Sequence, residues 1–166
     1  MIVFVDPDEL KDCKKRYSDD NAKFLAISSD LCEEQGMVDG SWLIPPPNAV
    51  DSYYNTGDKQ NYREQYYRFL SSPRINHFLN LELIAADGID TDVTFMCYSE
   101  MEKDMLYPKF LRHFIIENLG IPKKYVVKYK NYTGKNKRFD KETRQTFDRH
   151  TAQMIAKFDE SVEILG

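Results

Sequence analysis

The order of apolar segments in this chain predicts an α/β fold, a mainly parallel sheet enclosed by layers of helix. Two observations carry that expectation. Short continuous apolar runs, such as IVFV at 2–5 and DVTFMCY at 92–98, read as strands covered on both faces, as parallel strands are. Between such runs lie stretches whose apolar residues recur every three or four positions, the period of a helix packed along one side. Strands that alternate with helices favour a parallel sheet, because each parallel neighbour needs a crossover long enough to hold a helix. The expected architecture is therefore one three-layer, Rossmann-like domain spanning residues 1–166.

Each element follows from local chemistry. Ile2 to Val5 is β-branched and aromatic and breaks at Asp6-Pro7. Asp8 to Tyr17 is polar, with Leu10 and Cys13 on one helical side. Lys23 to Ile27 reads as a second strand, and Ser28-Ser29-Asp30 follows it. Gly36 to Gly57 holds Gly40 and the run Pro45-Pro46-Pro47, and is expected to be a long loop with room for a short strand at Trp42 to Ile44. Asn61 to Leu70 places Tyr62, Tyr66, Phe69 and Leu70 on one helical side. Asn76 to Ala86 is a second helical stretch, stopped by Gly88. Asp92 to Tyr98 is the clearest strand. Pro108 sits where proline suits a helix start, and Leu111, Phe114, Ile115 and Leu119 continue the stripe up to Gly120. Tyr125 to Tyr129 is a further strand. Phe139 to Leu165 reads as a C-terminal amphipathic helix, with Phe147, Met154, Ile155, Phe158, Val162 and Leu165 on one stripe. A stripe of that width must be buried, either on the sheet or against a second copy in a homodimer.

Composition narrows the function classes. A net charge of -4 gives no general pull toward nucleic acid or anionic lipid. Cys13, Cys32 and Cys97 are odd in number and widely spaced, which provides neither a disulfide framework nor a paired metal knuckle and suits a reducing compartment. The acidic start, MIVFVDPDEL, does not resemble a secretory signal. No apolar run approaches the roughly 20 residues of a membrane span. A cytoplasmic protein with no membrane partner is expected.

Ligands of parallel sheets gather beyond the carboxyl ends of the strands. The polar groups expected there are Asp6, then Ser28, Ser29 and Asp30, then Cys97, Ser99 and Glu100. The same residues also serve as ordinary turn formers. After Cys97 a short acidic loop leads to a helix starting near Tyr107, and the positive end of a helix favours an anion. Lys109 and Arg112 oppose that dipole unless an anion is close, so they are the expected holders of a phosphate. A solvated helix face, or pairing with Glu102 and Asp104, is the competing reading. Cys97 has no histidine close in sequence, since the three are His77, His113 and His150, and a buried cysteine at a strand end usually acts as a small apolar residue. None of the seven glycines forms a phosphate-binding loop, and the His and Cys spacings build no metal motif, so the sequence leaves any cofactor unidentified.

The stretch from Lys123 to Arg138 holds seven basic residues and no acid. It reads either as a weak contact for nucleic acid or as an edge strand guarded by lysines.

The runs YREQYYRFL, VTFMCYSE and YPKFLRHFIIENL together resemble a Rossmann-like family called domain of unknown function four-eight-eight. That family has a Tyr-bearing helix, a strand ending in Cys-x-Glu, and a Cys-His-Arg helix start. Cys97 matches, Glu100 matches with a shift of one, and Tyr107, Pro108 and Lys109 stand where the triplet would be, with Arg112 beyond. The resemblance implies the fold and no particular activity. The chain's size suggests a member carried by a phage or mobile element.

Three functions compete. The first is binding of a nucleotide or other phosphorylated small molecule at the strand ends. The second is a protein-interaction module, such as an inhibitor of a host enzyme, using the 36–57 loop with Trp42, Tyr53 and Tyr54. The third is weak nucleic-acid binding. Acid–base catalysis by Asp6, Asp30 or Glu100 stays open.

Overall fold

In the computed structural model, β1 (Ile2–Val5) is buried along its whole length. The structure describes residues 1–18, 22–28, 30–31, 34, 36–80, 93–99, 106–121 and 123–132. A single 3-10 turn, Pro7–Glu9, leads from β1 into α1 (Leu10–Tyr17). Then come β2 (Ala22–Ala26), β3 (Met37–Asp39), α2 (Pro47–Thr56), α3 (Lys59–Leu70) and α4 (Pro73–Leu79). The order closes with β4 (Val93–Cys97), α5 (Tyr107–Asn118) and β5 (Val126–Lys128).

The strands form one sheet in the order β3-β2-β4-β1-β5, and every pairing is parallel. The α/β class read from the sequence is the class observed, with helix on both sides of a parallel sheet. Register decides which residues share a face. Val3 lies beside Phe95, and Phe95 beside Phe24, while Phe4 lies beside Met96 on the opposite face. Tyr17 of α1 meets Phe95 at a ring distance of 5.1 Å, so α1 covers the Phe95 face. Tyr129 and Tyr132 close the same cluster against Tyr17. The other layer is aromatic as well. Tyr62 of α3 stacks on Tyr53 of α2 at 4.9 Å, and Tyr66 meets Tyr107 of α5 edge-on at 6.0 Å. Two of these buried rings also tie their hydroxyls to the backbone. Tyr66 donates to the Leu43 carbonyl oxygen at 2.7 Å and Tyr107 to that of Ile27 at 3.0 Å.

The expected loop between Gly36 and Gly57 is instead mostly ordered secondary structure. Met37–Asp39 is an edge strand, Ser41–Leu43 is a 3-10 turn in place of a strand at Trp42 to Ile44, and Pro47 opens α2. Proline at the first helical position gives up only an N–H that the helix leaves free. Gly57, with φ of 68°, caps the helix in the left-handed region, and its N–H reaches the Tyr53 carbonyl at 2.7 Å. Trp42 is half-buried, with its indole N–H donating to the Asp39 carbonyl at 3.3 Å, while Tyr54 stays 71% exposed.

The second expected helix begins three residues earlier than read, at Pro73, again a proline at a helix start. The strand expected over Tyr125 to Tyr129 is shorter, because a 3-10 turn adjoins each of its ends. It is an edge strand, and Lys128 is exposed on it. The end of the second helix at Ala86, the C-terminal helix over Phe139 to Leu165, and the basic residues beyond Tyr132 lie outside the described residues.

Candidate functional site

The parallel sheet brings the exits of β1, β2 and β4 to one edge. Asp6 follows β1, Ser28 lies two residues past β2, and Tyr98 and Ser99 follow β4. These groups divide into two sets.

The first set ties the sheet together. The fully buried Ser28 hydroxyl donates to the Ser99 hydroxyl oxygen at 3.3 Å and accepts from the Asp30 N–H at 3.3 Å. Tyr107 holds the Ile27 carbonyl just before it. Ser28 and Ser99 therefore bond across the ends of β2 and β4. Ser29 and Glu100 lie outside the described residues.

The second set surrounds a cavity of about 480 Å3 between the ends of β1, β4 and β5 and the start of α5. Phe4, Tyr98, Leu106 and Pro108 form its apolar wall. Asp6, Lys109, Arg112, His113 and Lys128 supply its polar groups. The volume falls within the range typical of small-molecule sites. Lys109 and His113 are four residues apart and Arg112 three from Lys109, so one face of α5 presents all three.

Among the described residues that line the cavity, cations outnumber carboxylates. Among the described residues Lys109, Arg112 and Lys128 form no ion pair, whereas Lys14, Arg16 and Arg63 pair with Glu34, Asp12 and Glu117. The Arg112 Nε is buried without a hydrogen-bond partner. Asp6 does not pair with the cations of the cavity; its Oδ1 accepts a hydrogen bond from the Tyr98 hydroxyl. Burial, and then that carboxylate, push the Tyr98 phenol well above its ordinary range, so it remains a donor. Burial first, opposed by Glu117 and reinforced by Lys109, Arg63 and Arg112, holds the His113 imidazole below its usual value. The imidazole is therefore neutral at neutral pH.

Backbone amides contribute less than the sequence implies. Pro108 has no N–H, and the amides of Lys109 and Phe110 already donate to the Leu106 carbonyl at 3.1 and 3.2 Å. What α5 offers an anion is its dipole and its cationic side chains. Leu106, just before α5, has a φ of 62°, a left-handed conformation that is costly for a branched residue.

Cys97 does not reach this cavity. In the register of β4 it shares a face with Phe95, the α1 side, opposite to Met96 and Phe4. Its Sγ lies 3.6 Å from the Phe95 carbonyl, and burial pushes its thiol well above the ordinary range. It packs as a small apolar residue. Among the described residues no cluster of three or more His, Cys, Asp or Glu could hold a metal ion. No described helix is long and apolar enough to cross a membrane.

Of the expected residues, Asp6, Lys109 and Arg112 meet at one cavity, while Ser28, Ser99 and Cys97 belong to the packing beside it. Tyr98, His113 and Lys128 also line the cavity, beyond the residues the sequence marks. Tyr98 is the first residue after β4, a position that parallel-sheet logic already marks. His113 follows from helical spacing to Lys109. Lys128 is hidden by its place in a long basic run, where no residue stands out. Set against models of known protein families, curated proteins and solved structures, the chain finds no match.

Proposed function

We propose that the protein binds a phosphorylated small molecule in the cavity beyond β1, β4 and β5. The observation that carries this reading is the set of three cations, Lys109, Arg112 and Lys128, that line the cavity with no ion pair among the described residues. Like charges held around one apolar-walled space repel, and an anion between them converts that repulsion into attraction. Arginine and lysine are the usual phosphate partners, with arginine adding a fixed fork of donors. The positive end of α5 acts in the same sense. A nucleotide or sugar phosphate is of suitable size for the space. The two described cysteines, Cys13 and Cys97, are buried and unbridged, which is consistent with action in a reducing compartment such as the cytoplasm.

A thermal-shift screen against nucleotides, cyclic dinucleotides and sugar phosphates identifies the ligand, since one that binds only the folded state raises Tm. The double change Lys109→Ala, Arg112→Ala should then weaken binding about tenfold or more, as expected when charged hydrogen bonds are lost. Affinity unchanged by calorimetry would reject the site.

A further inference from the structure

The cavity carries a feature that a plain anion receptor would avoid. Three cations line it, yet a carboxylate, Asp6, stands among them. An ionised carboxylate only accepts hydrogen bonds, and it repels a bound phosphate. Among the described residues Asp6 makes no ion pair with the cations of the cavity, so its presence is not explained by neutralising them. Instead the Tyr98 hydroxyl holds one of its oxygens, which fixes the carboxylate at the lip of β1. The second oxygen accepts from no described residue and is available to a donor on the ligand.

We propose, on the basis of the phosphate reading above, that the ligand is a phosphomonoester bearing a hydroxyl group. The phosphate lies among Lys109, Arg112 and Lys128, and the hydroxyl donates to Asp6. Charge favours the monoester. Among the described lining residues, three cations against one carboxylate leave a net charge of two positive while His113 is neutral, and a terminal phosphate above its second ionisation, near pH 6, carries about two negative. A diester carries one and would leave a positive charge uncompensated. The Asp6 carboxylate then provides discrimination, because a site built to pair with a hydroxyl rejects an analogue that lacks it. A sugar phosphate contains both groups within the space available.

Calorimetry at about pH 8, where the monoester is fully ionised, tests this with three probes: methyl phosphate, dimethyl phosphate and ribose 5-phosphate. Methyl phosphate should bind about tenfold or more tighter than dimethyl phosphate, and ribose 5-phosphate about tenfold tighter than methyl phosphate. Asp6→Asn should erase the advantage of ribose 5-phosphate while leaving methyl phosphate bound as well as before or better, since a repelling charge has gone. Tyr98→Phe, which frees the carboxylate without removing it, should lose part of that advantage and keep methyl phosphate. Equal binding of the two methyl esters overturns the inference, as does an advantage of ribose 5-phosphate that survives Asp6→Asn. If methyl phosphate binds in a manner sensitive to Lys109→Ala but ribose 5-phosphate binds no better than methyl phosphate, the phosphate reading stands and this inference falls. If no phosphate compound binds, both fall.

Discussion

Cys97 shows how one residue's surroundings decide its chemistry. A thiol at the end of a strand is well placed for nucleophilic attack, but attack requires the thiolate. Here burial dominates and keeps the proton on, and Cys13 nearby in α1 is likewise pushed up, to about 12, by burial and then by Asp12. Both thiols should therefore resist iodoacetamide in the folded protein and react only after denaturation, as peptide-resolved mass spectrometry can follow. Rapid labelling of Cys97 in the native state would restore it as a candidate nucleophile. Asp6 and Tyr98 make the complementary case. They are ninety-two positions apart, and only the pairing of β1 with β4 brings their side chains into contact.

Among the helices, α3 shows an end fixed by side-chain chemistry. Its N-cap residue Asp58 accepts the Asn61 N–H at 3.0 Å, satisfying one amide that the helix cannot. Asp58→Ala should cost about 0.5–2 kcal/mol, read as a lower midpoint in urea with an unchanged slope. Since α3 carries Tyr62 and Tyr66 into the core, the loss should appear as global destabilisation without altering ligand contacts. The same element was readable in advance because Tyr62, Tyr66, Phe69 and Leu70 repeat at helical spacing. The helix α2 was not, although Ala49, Val50 and Tyr53 also follow that spacing. The proline run suggests a loop, yet Pro46 caps the helix and Pro47 is its first residue. Proline states where a helix cannot continue, and the same constraint states where one begins. The site divided for a related reason. Lys109 and Arg112 stood out because their charge conflicts with the local dipole, a purely local signal. Tyr98 and Lys128 join them only through strand order, which local sequence does not reveal.

For the molecule as a whole, the tyrosine-rich core sets a limit on alkaline stability. Burial is the first cause that raises Tyr66 and Tyr62 above the ordinary value of 10.0, with neighbouring phenols adding to it. Raised acid groups are deprotonated sooner in the unfolded chain, so the unfolded state binds fewer protons above that value. Stability should be level with respect to these groups below about pH 10 and fall as pH rises beyond it. The phenolate absorbance contributed by the buried rings should appear together with the loss of circular dichroism, after that of exposed rings such as Tyr54. Phenolate absorbance that saturates while the protein stays folded would show that the rings are not held as described.

The strand order has a further consequence, one of timing. Ile2 pairs with Thr94 on one side and Val126 on the other, so β1, though made before either neighbour, bonds only to strands made long after it. The apolar run Ile2–Val5 leaves the ribosome before the two strands it bonds to, and among the described elements α1, β2, β3 and the helices α2, α3 and α4 come out ahead of β4. Neighbours β2 and β3 can pair early, but the sheet cannot close around its centre until β4 arrives, and loop closure over that distance is slow. Until β4 is made, the segment that ends in Asp6 is a hydrophobic peptide awaiting shelter, the kind of surface that chaperones bind. The residue proposed to recognise a ligand is thus made well before the strands that surround it.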